Sequence, residues 1–233
     1  MLLYKYTLNL ERGNIMVAKD FRRKAWESLK GKWGIMILIF VIYEAIVLAA
    51  SLISSLIPFG FVVNLLIGGA LVIGAAVASL KPIREETPVI EDLFFGFKNC
   101  FMQSLLLYVL NSVFIFLWSL LLFVPGIMKS YSYSMSYYIL ADNPEMDQAD
   151  ARKASIEMMK GNRWRLFCLH ISFIGWILLS MLTMGILLFW VMPYMQVAQA
   201  AFYEDLKSKN AVVADVETVT EAEPELSYDP EIK

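Results

Sequence analysis

The sequence predicts an all-helical membrane protein with several crossings, and three observations carry that prediction. Hydrophobic residues make up 58% of the 233 positions and charged residues only 18%, against roughly 45–50% and about 25% in soluble domains. The apolar residues are also gathered into blocks: 33–80 contains one charge (Glu44), 99–141 contains one (Lys129), and 166–203 contains none. These blocks are 48, 43 and 38 residues long, each near twice the ~20 residues that cross a bilayer as a helix. Finally, 19 of the 20 lysines and arginines lie outside the blocks. That pattern excludes a soluble enzyme, a nucleic-acid binder and a secreted disulfide scaffold.

Residues 1–32 mix charges with apolar side chains and hold no continuous hydrophobic run of the secretory kind. The run Glu11-Arg12-Gly13 can be encoded by a purine-rich, ribosome-binding-like stretch just before Met16. A translation start at Met16, leaving 1–15 untranslated, is therefore an alternative to Met1. The rest of this segment, through Lys32, reads as a cytoplasmic amphipathic helix.

Positive residues stay on the cytoplasmic side of a membrane. Eight lie in 1–32, three between Lys81 and Lys98, five between Arg152 and Arg165, and three in the tail. Within the blocks, Pro58-Phe59-Gly60, Pro125-Gly126 and Thr183-Met184-Gly185 are turn signals. Each block is thus expected to form a hairpin that leaves the cytoplasm and returns. The six expected spans are 35–57, 59–80, 101–124, 127–141, 166–182 and 186–202, in a membrane domain over 33–206, with both termini cytoplasmic. In the second span, Ala70, Gly74 and Ala78 allow close helix approach. The fourth is short and rich in Ser and Tyr, including Ser132 and Tyr133, and suits a helix enclosed by its neighbours; a re-entrant segment is the alternative. From Lys207 to Lys233, three lysines face seven acids, which predicts a disordered acidic cytoplasmic tail.

The segments before the blocks resemble one another. Glu27-Ser28-Leu29-Lys30-Gly31-Lys32-Trp33 and Glu157-Met158-Met159-Lys160-Gly161-Asn162-Arg163-Trp164 match well, and Asp92-Leu93-Phe94-Phe95-Gly96-Phe97-Lys98 does so loosely. Gly31, Gly96 and Gly161 fall 65 residues apart, as do Tyr43, Tyr108 and Phe173. The expected unit is a short amphipathic helix, a glycine cap, an interfacial anchor and a hairpin, giving a threefold internal repeat. Lys30, Gly31, Trp33, Lys160, Gly161, Arg163 and Trp164 are the expected membrane-interface anchors. In the third copy, Asp142-Asn143-Pro144 offers cap residues. Ala151, Ala154, Ser155, Met158 and Met159 then share one helical face. That helix, over 147–160, reads as lying on the inner leaflet or as docking a cytoplasmic protein partner.

Several of these stretches together resemble the domain of unknown function 975 family of bacterial integral membrane proteins. They are Lys30-Gly31-Lys32-Trp33, Asp92 to Asn99, Pro125-Gly126-Ile127, Tyr131 to Met135, Ile139 to Pro144, Met159 to Phe167, Ser172 to Trp176, Pro193-Tyr194 and Ala201 to Glu204. The resemblance covers about 20–206. It implies a bacterial origin and a multi-span domain in the cell membrane, and it transfers no catalytic or binding residue.

Few residues offer chemistry. Glu44 is the one acid within a span, where a charge costs roughly 2.5–3.5 kcal/mol at bilayer centre. It is either an ion or proton site or a protonated, hydrogen-bonded side chain. Lys129 is placed to snorkel to the outer headgroups. His170 reads as a packed or hydrogen-bonded imidazole, and Asn64 and Asn111 as links between helices. Cys100 and Cys168 read as small apolar fillers, and no metal or cofactor is expected. The motifs H-E-x-x-H, G-x-S-x-G and G-x-x-x-x-G-K-[ST] are missing. The expected function is a non-catalytic scaffold, accessory subunit or envelope-homeostasis module. The alternative is a small-solute transporter with Glu44, Lys129, Ser132 and Tyr133 along a polar path.

Overall fold

The computed structural model describes residues 16–56, 60–121 and 123–222, and every regular element among them is helical. In chain order these are α1 (Ala18–Ser28), α2 (Trp33–Leu56), α3 (Phe61–Ile83), a 3-10 turn (Ile90–Phe94), α4 (Phe95–Asn99) and α5 (Phe101–Leu121). They continue as α6 (Phe123–Tyr133), α7 (Ser136–Asp142), α8 (Gln148–Met158), α9 (Arg163–Ile171), α10 (Ile174–Leu182) and α11 (Leu188–Ala222). Residues 1–15 and the Pro58-Phe59 turn lie outside the described residues.

Four helical segments are long and apolar enough to cross a membrane: Trp33–Leu56, Val62–Ile83, Phe101–Leu121 and Arg163–Leu182. Their outward faces carry Leu48, Leu52, Phe116, Leu120, Met181 and Leu182, all exposed. Bare apolar side chains of this kind on three of the four segments are what a lipid-facing surface requires and what water would penalise at ~25 cal/mol per Å². The fourth and sixth expected spans are not uninterrupted apolar helices. The former is split into α6 and α7. The latter is the start of α11, where Pro193, Gln196 and Gln199 interrupt the apolar run.

Helix α3 is the axis of the bundle, touching α2, α5, α7, α11, α4 and the 3-10 turn. Small residues permit this. Ala70 and Ala78 are buried, and a Cβ at Gly74 would strike the Leu93 backbone, as one at Gly96 would strike that of Ala70. The stripe expected from the sequence therefore seats the 3-10 turn and α4 as well as neighbouring long helices. Amides supply further links: Asn64 donates to Ser54 Oγ at 3.0 Å between α3 and α2. Asn111 donates to Ser136 Oγ at 3.1 Å between α5 and α7.

The first and third copies of the proposed repeat share one backbone. Leu29 N–H donates to Ala25 O (3.0 Å) and Lys32 N–H to Leu29 O (2.9 Å). Exactly 130 residues on, Met159 donates to Ser155 O (3.0 Å) and Asn162 to Met159 O (3.1 Å). Gly31 (φ 78°) and Gly161 (φ 75°) occupy the left-handed region that glycine enters most cheaply. The middle segment departs from this pattern, since Gly96 lies inside α4 with no left-handed φ. A close approach to α3, rather than a cap, requires its missing side chain.

Other expectations are corrected. The cap of α8 is Asp147, whose carboxylate accepts from Ala149 N–H at 3.0 Å, and not Asp142-Asn143-Pro144. The apolar faces of α1 and α8 do not lie on lipid: Phe21, Ala25 and Leu29, like Ala151, Ser155 and Met159, are fully buried by the protein itself. Of the 207–233 tail expected to be unstructured, 207–222 continue the α11 helix, and 223–233 lie outside the described residues. The first turns of this continuation are held by ion pairs from Lys207 to Asp142 and from Lys209 to Asp205. Those pairs prolong a helix that is already packed.

Candidate functional site: a polar cavity and a charged clamp

The expected polar-path residues do not converge. Glu44 is exposed on α2 in line with Val41 and Leu48, on the outward apolar side of the helix. Lys129 is half-buried with its ammonium 4.9 Å from the centre of the Trp118 ring, a cation–π contact. Ser132 is buried, and its hydroxyl donates back to Met128 O at 2.7 Å. Tyr133 is buried in the bundle. Ser130, Ser134 and Ser136 also bond carbonyls three residues back, the local habit of helical serines.

A cavity of about 230 Å³ lies one step from these residues, where α2, α3, α7 and α11 meet. Tyr43, Ser134, Tyr137, Tyr138, Gln196 and Gln199 supply its polar lining, and Val72, Ala75, Ala76 and Met195 its apolar walls. Ser134 reaches it because the chain breaks between α6 and α7. Ser155 Oγ donates to Ser132 O at 2.8 Å, so a carbonyl that would continue the helix is held by α8 instead. His170 Nδ1 lies 3.2 Å from Tyr131 Oη, and Gln199 is its other polar neighbour. A scan for charges in the apolar blocks passes over Gln196 and Gln199. Their spacing of three residues inside an otherwise apolar run was the available signal.

The second feature is a clamp at the charged end of the bundle. Asp142, at the end of α7, accepts two bonds from Arg84 (2.8 and 2.9 Å), one from Tyr203 Oη (3.0 Å) and one from Lys207. Arg84 Nε also donates to Glu204 at 2.7 Å. Burial pushes the Asp142 carboxyl up, but Lys207 and Arg84 outweigh it and hold it below the ordinary carboxylate value. Burial likewise opposes the charge on Arg84, yet the bonds to Asp142 and Glu204 leave its pKa raised. Alongside, Arg165 pairs with Asp205 at 2.8 Å, donates to Met16 O at 3.1 Å and lies over the rings of Phe21 and Phe202. Lys81 pairs with Asp92 at 2.6 Å. These contacts join α3, α7, α9, α11, the 3-10 turn and the chain leading into α1. A cleft of about 550 Å³ beside the clamp is lined by Phe95, Asn99, Asp142, Asn143, Pro144 and Glu145.

The expected interface anchors separate into two kinds. Lys30, Gly31, Lys160 and Gly161 are exposed at the two caps. Trp33 instead joins an aromatic cluster with Trp26 (5.1 Å between centroids) and Tyr194 (6.1 Å). Trp164 stands out, 70% exposed, and Arg163 beside it is half-buried.

No curated protein and no solved structure matches the chain. One family model does, over residues 16–128 and 120–210, and the chain belongs to the family it describes, "Protein of unknown function (DUF975)".

Proposed function

We propose that the chain is a multi-pass module of the bacterial cell membrane, with six crossings in three hairpins and both termini cytoplasmic. It acts without catalysis as a scaffold or accessory subunit in envelope homeostasis. The clamp is the observation that supports this reading. Asp142, Arg84, Glu204 and Lys207 tie the ends of α3 and α7 to the middle of α11, as a fixed presenting surface requires, and an open cleft adjoins them. A cytoplasmic partner at helix 147–160 would meet its outward edge, Lys153, Glu157 and Lys160, because Ala151, Ser155 and Met159 are covered.

The exposure of Glu44 on α2 favours the scaffold over the transporter alternative, and Glu44→Gln tests the two readings directly. In proteoliposomes and in cells, a scaffold keeps its abundance and shows no change in solute flux on this substitution. Loss of flux or proton coupling at unchanged abundance would assign transport and overturn the proposal.

A further inference from the structure

We propose that the cavity between α2, α3, α7 and α11 is a binding site for a small uncharged polyol-like solute, held by Tyr43, Tyr137, Gln196 and Gln199. Its depth is the first reason. Tyr43 is the eleventh of the 24 residues of α2, and Ala75 lies well inside α3, so the cavity sits far from either end of the long helices. Polar groups at that depth are costly unless bonded. Among the described residues, neither the Tyr43 hydroxyl nor the Gln196 amide meets a protein partner, and both residues line the cavity. Tyr137 and Gln199 line the same cavity and add a hydroxyl and a second amide to it.

The backbone gives an independent reason. A helix broken at membrane depth is tolerated where it is enclosed by protein or lines a polar cavity. The break at Ser134-Met135 opens on this one, with Ser155 holding the displaced carbonyl of Ser132. Chemistry then selects the ligand. No lining side chain carries a charge, so an ion would enter a low-dielectric site with nothing to offset its lost hydration. Two amides and the hydroxyls offer both donors and acceptors, which suits a solute with several hydroxyl groups. At about 230 Å³ the cavity far exceeds the ~10–15 Å³ that admits a single water.

The test uses the full chain in nanodiscs with Cys100 and Cys168 replaced by alanine and a single cysteine at Ala75. Two thiosulfonates of similar size, hydroxyethyl and trimethylammonioethyl, serve as reagents, and glycerol is the probe. The neutral reagent is expected to modify Ala75→Cys at least tenfold faster than the cationic one, and at least tenfold faster than a lipid-facing Leu48→Cys control. Molar glycerol should slow it at least threefold, and that protection should vanish in Gln196→Leu/Gln199→Leu. Equal rates for the two reagents, or a rate no faster than the control, would overturn the proposal. So would glycerol having no effect, which would leave a water-filled pocket alone. Val72→Cys on the same wall decides the matter if Ala75→Cys does not fold.

Discussion

Replacing Asp142 by asparagine removes the one anion shared by Arg84, Lys207 and Tyr203 while keeping size and shape. The side chain of Asp142 is 8% exposed, those of Arg84 and Lys207 35% and 48%. Breaking a fully buried pair costs about 3–5 kcal/mol. Here the cations reach solvent and Arg84 keeps Glu204, so screening reduces the loss. The amide nitrogen, in turn, opposes a donor with a donor. We expect a cost of about 2 kcal/mol, or roughly 4–8 °C in the melting temperature for a chain of this length. The assay is thermal unfolding in detergent, followed by the monodisperse fraction. Asp150→Asn is the comparison, because its pair with Lys153 is 62% and 74% exposed and should be worth at most about 0.5 kcal/mol.

The pH dependence supplies a second reading of the same substitution. The folded carboxyl lies below its ordinary value of 3.8, so its contribution is complete above that pH and lost as pH falls through the folded value. The wild-type protein should lose its advantage over Asp142→Asn only in acid below about pH 4. Equal stability of Asp142→Asn and Asp150→Asn at neutral pH would refute the clamp.

Two further substitutions probe the architecture. A Cβ at Gly161 meets nothing within 4 Å but must accept φ 75°, so Gly161→Ala should cost about 1–2 kcal/mol from strain alone. Gly74→Ala, which drives into the Leu93 backbone, should cost about 3 kcal/mol or more; equal melting curves for the two would contradict the packing of α3. Ser155→Ala leaves Ser132 O without its donor and should cost about 1–3 kcal/mol. A rise in helical circular dichroism without loss of stability would show instead that α6 and α7 fuse readily.

The long spans were legible because lipid-facing helices need only uninterrupted apolar residues, and 35–57 and 101–124 lie close to α2 and α5. The caps at Gly31 and Gly161 were legible because a left-handed residue leaves a local signature. The break after Tyr133 was not, since it depends on Ser155, 23 residues away in sequence. Nor was the clamp, whose members Arg84, Asp142 and Glu204 lie just beyond the ends of three separate apolar blocks. Periodicity placed an apolar face on α8 correctly but could not tell protein from lipid as its cover. For the cavity, a search for charge looked at Glu44 while its neighbour Tyr43 and the two glutamines held the site.

The central claim is that the chain crosses the membrane repeatedly and presents the clamp on one side. Single cysteines at Leu56, Leu121 and Met184, all strongly exposed at the far ends of long helices, test it against cysteines at Lys153 and Ser208. With an impermeant maleimide on intact cells, the first three should label directly and the last two only after the membrane is opened. Labelling of Lys153→Cys or Ser208→Cys on intact cells, or protection of Leu56→Cys and Met184→Cys, would contradict it.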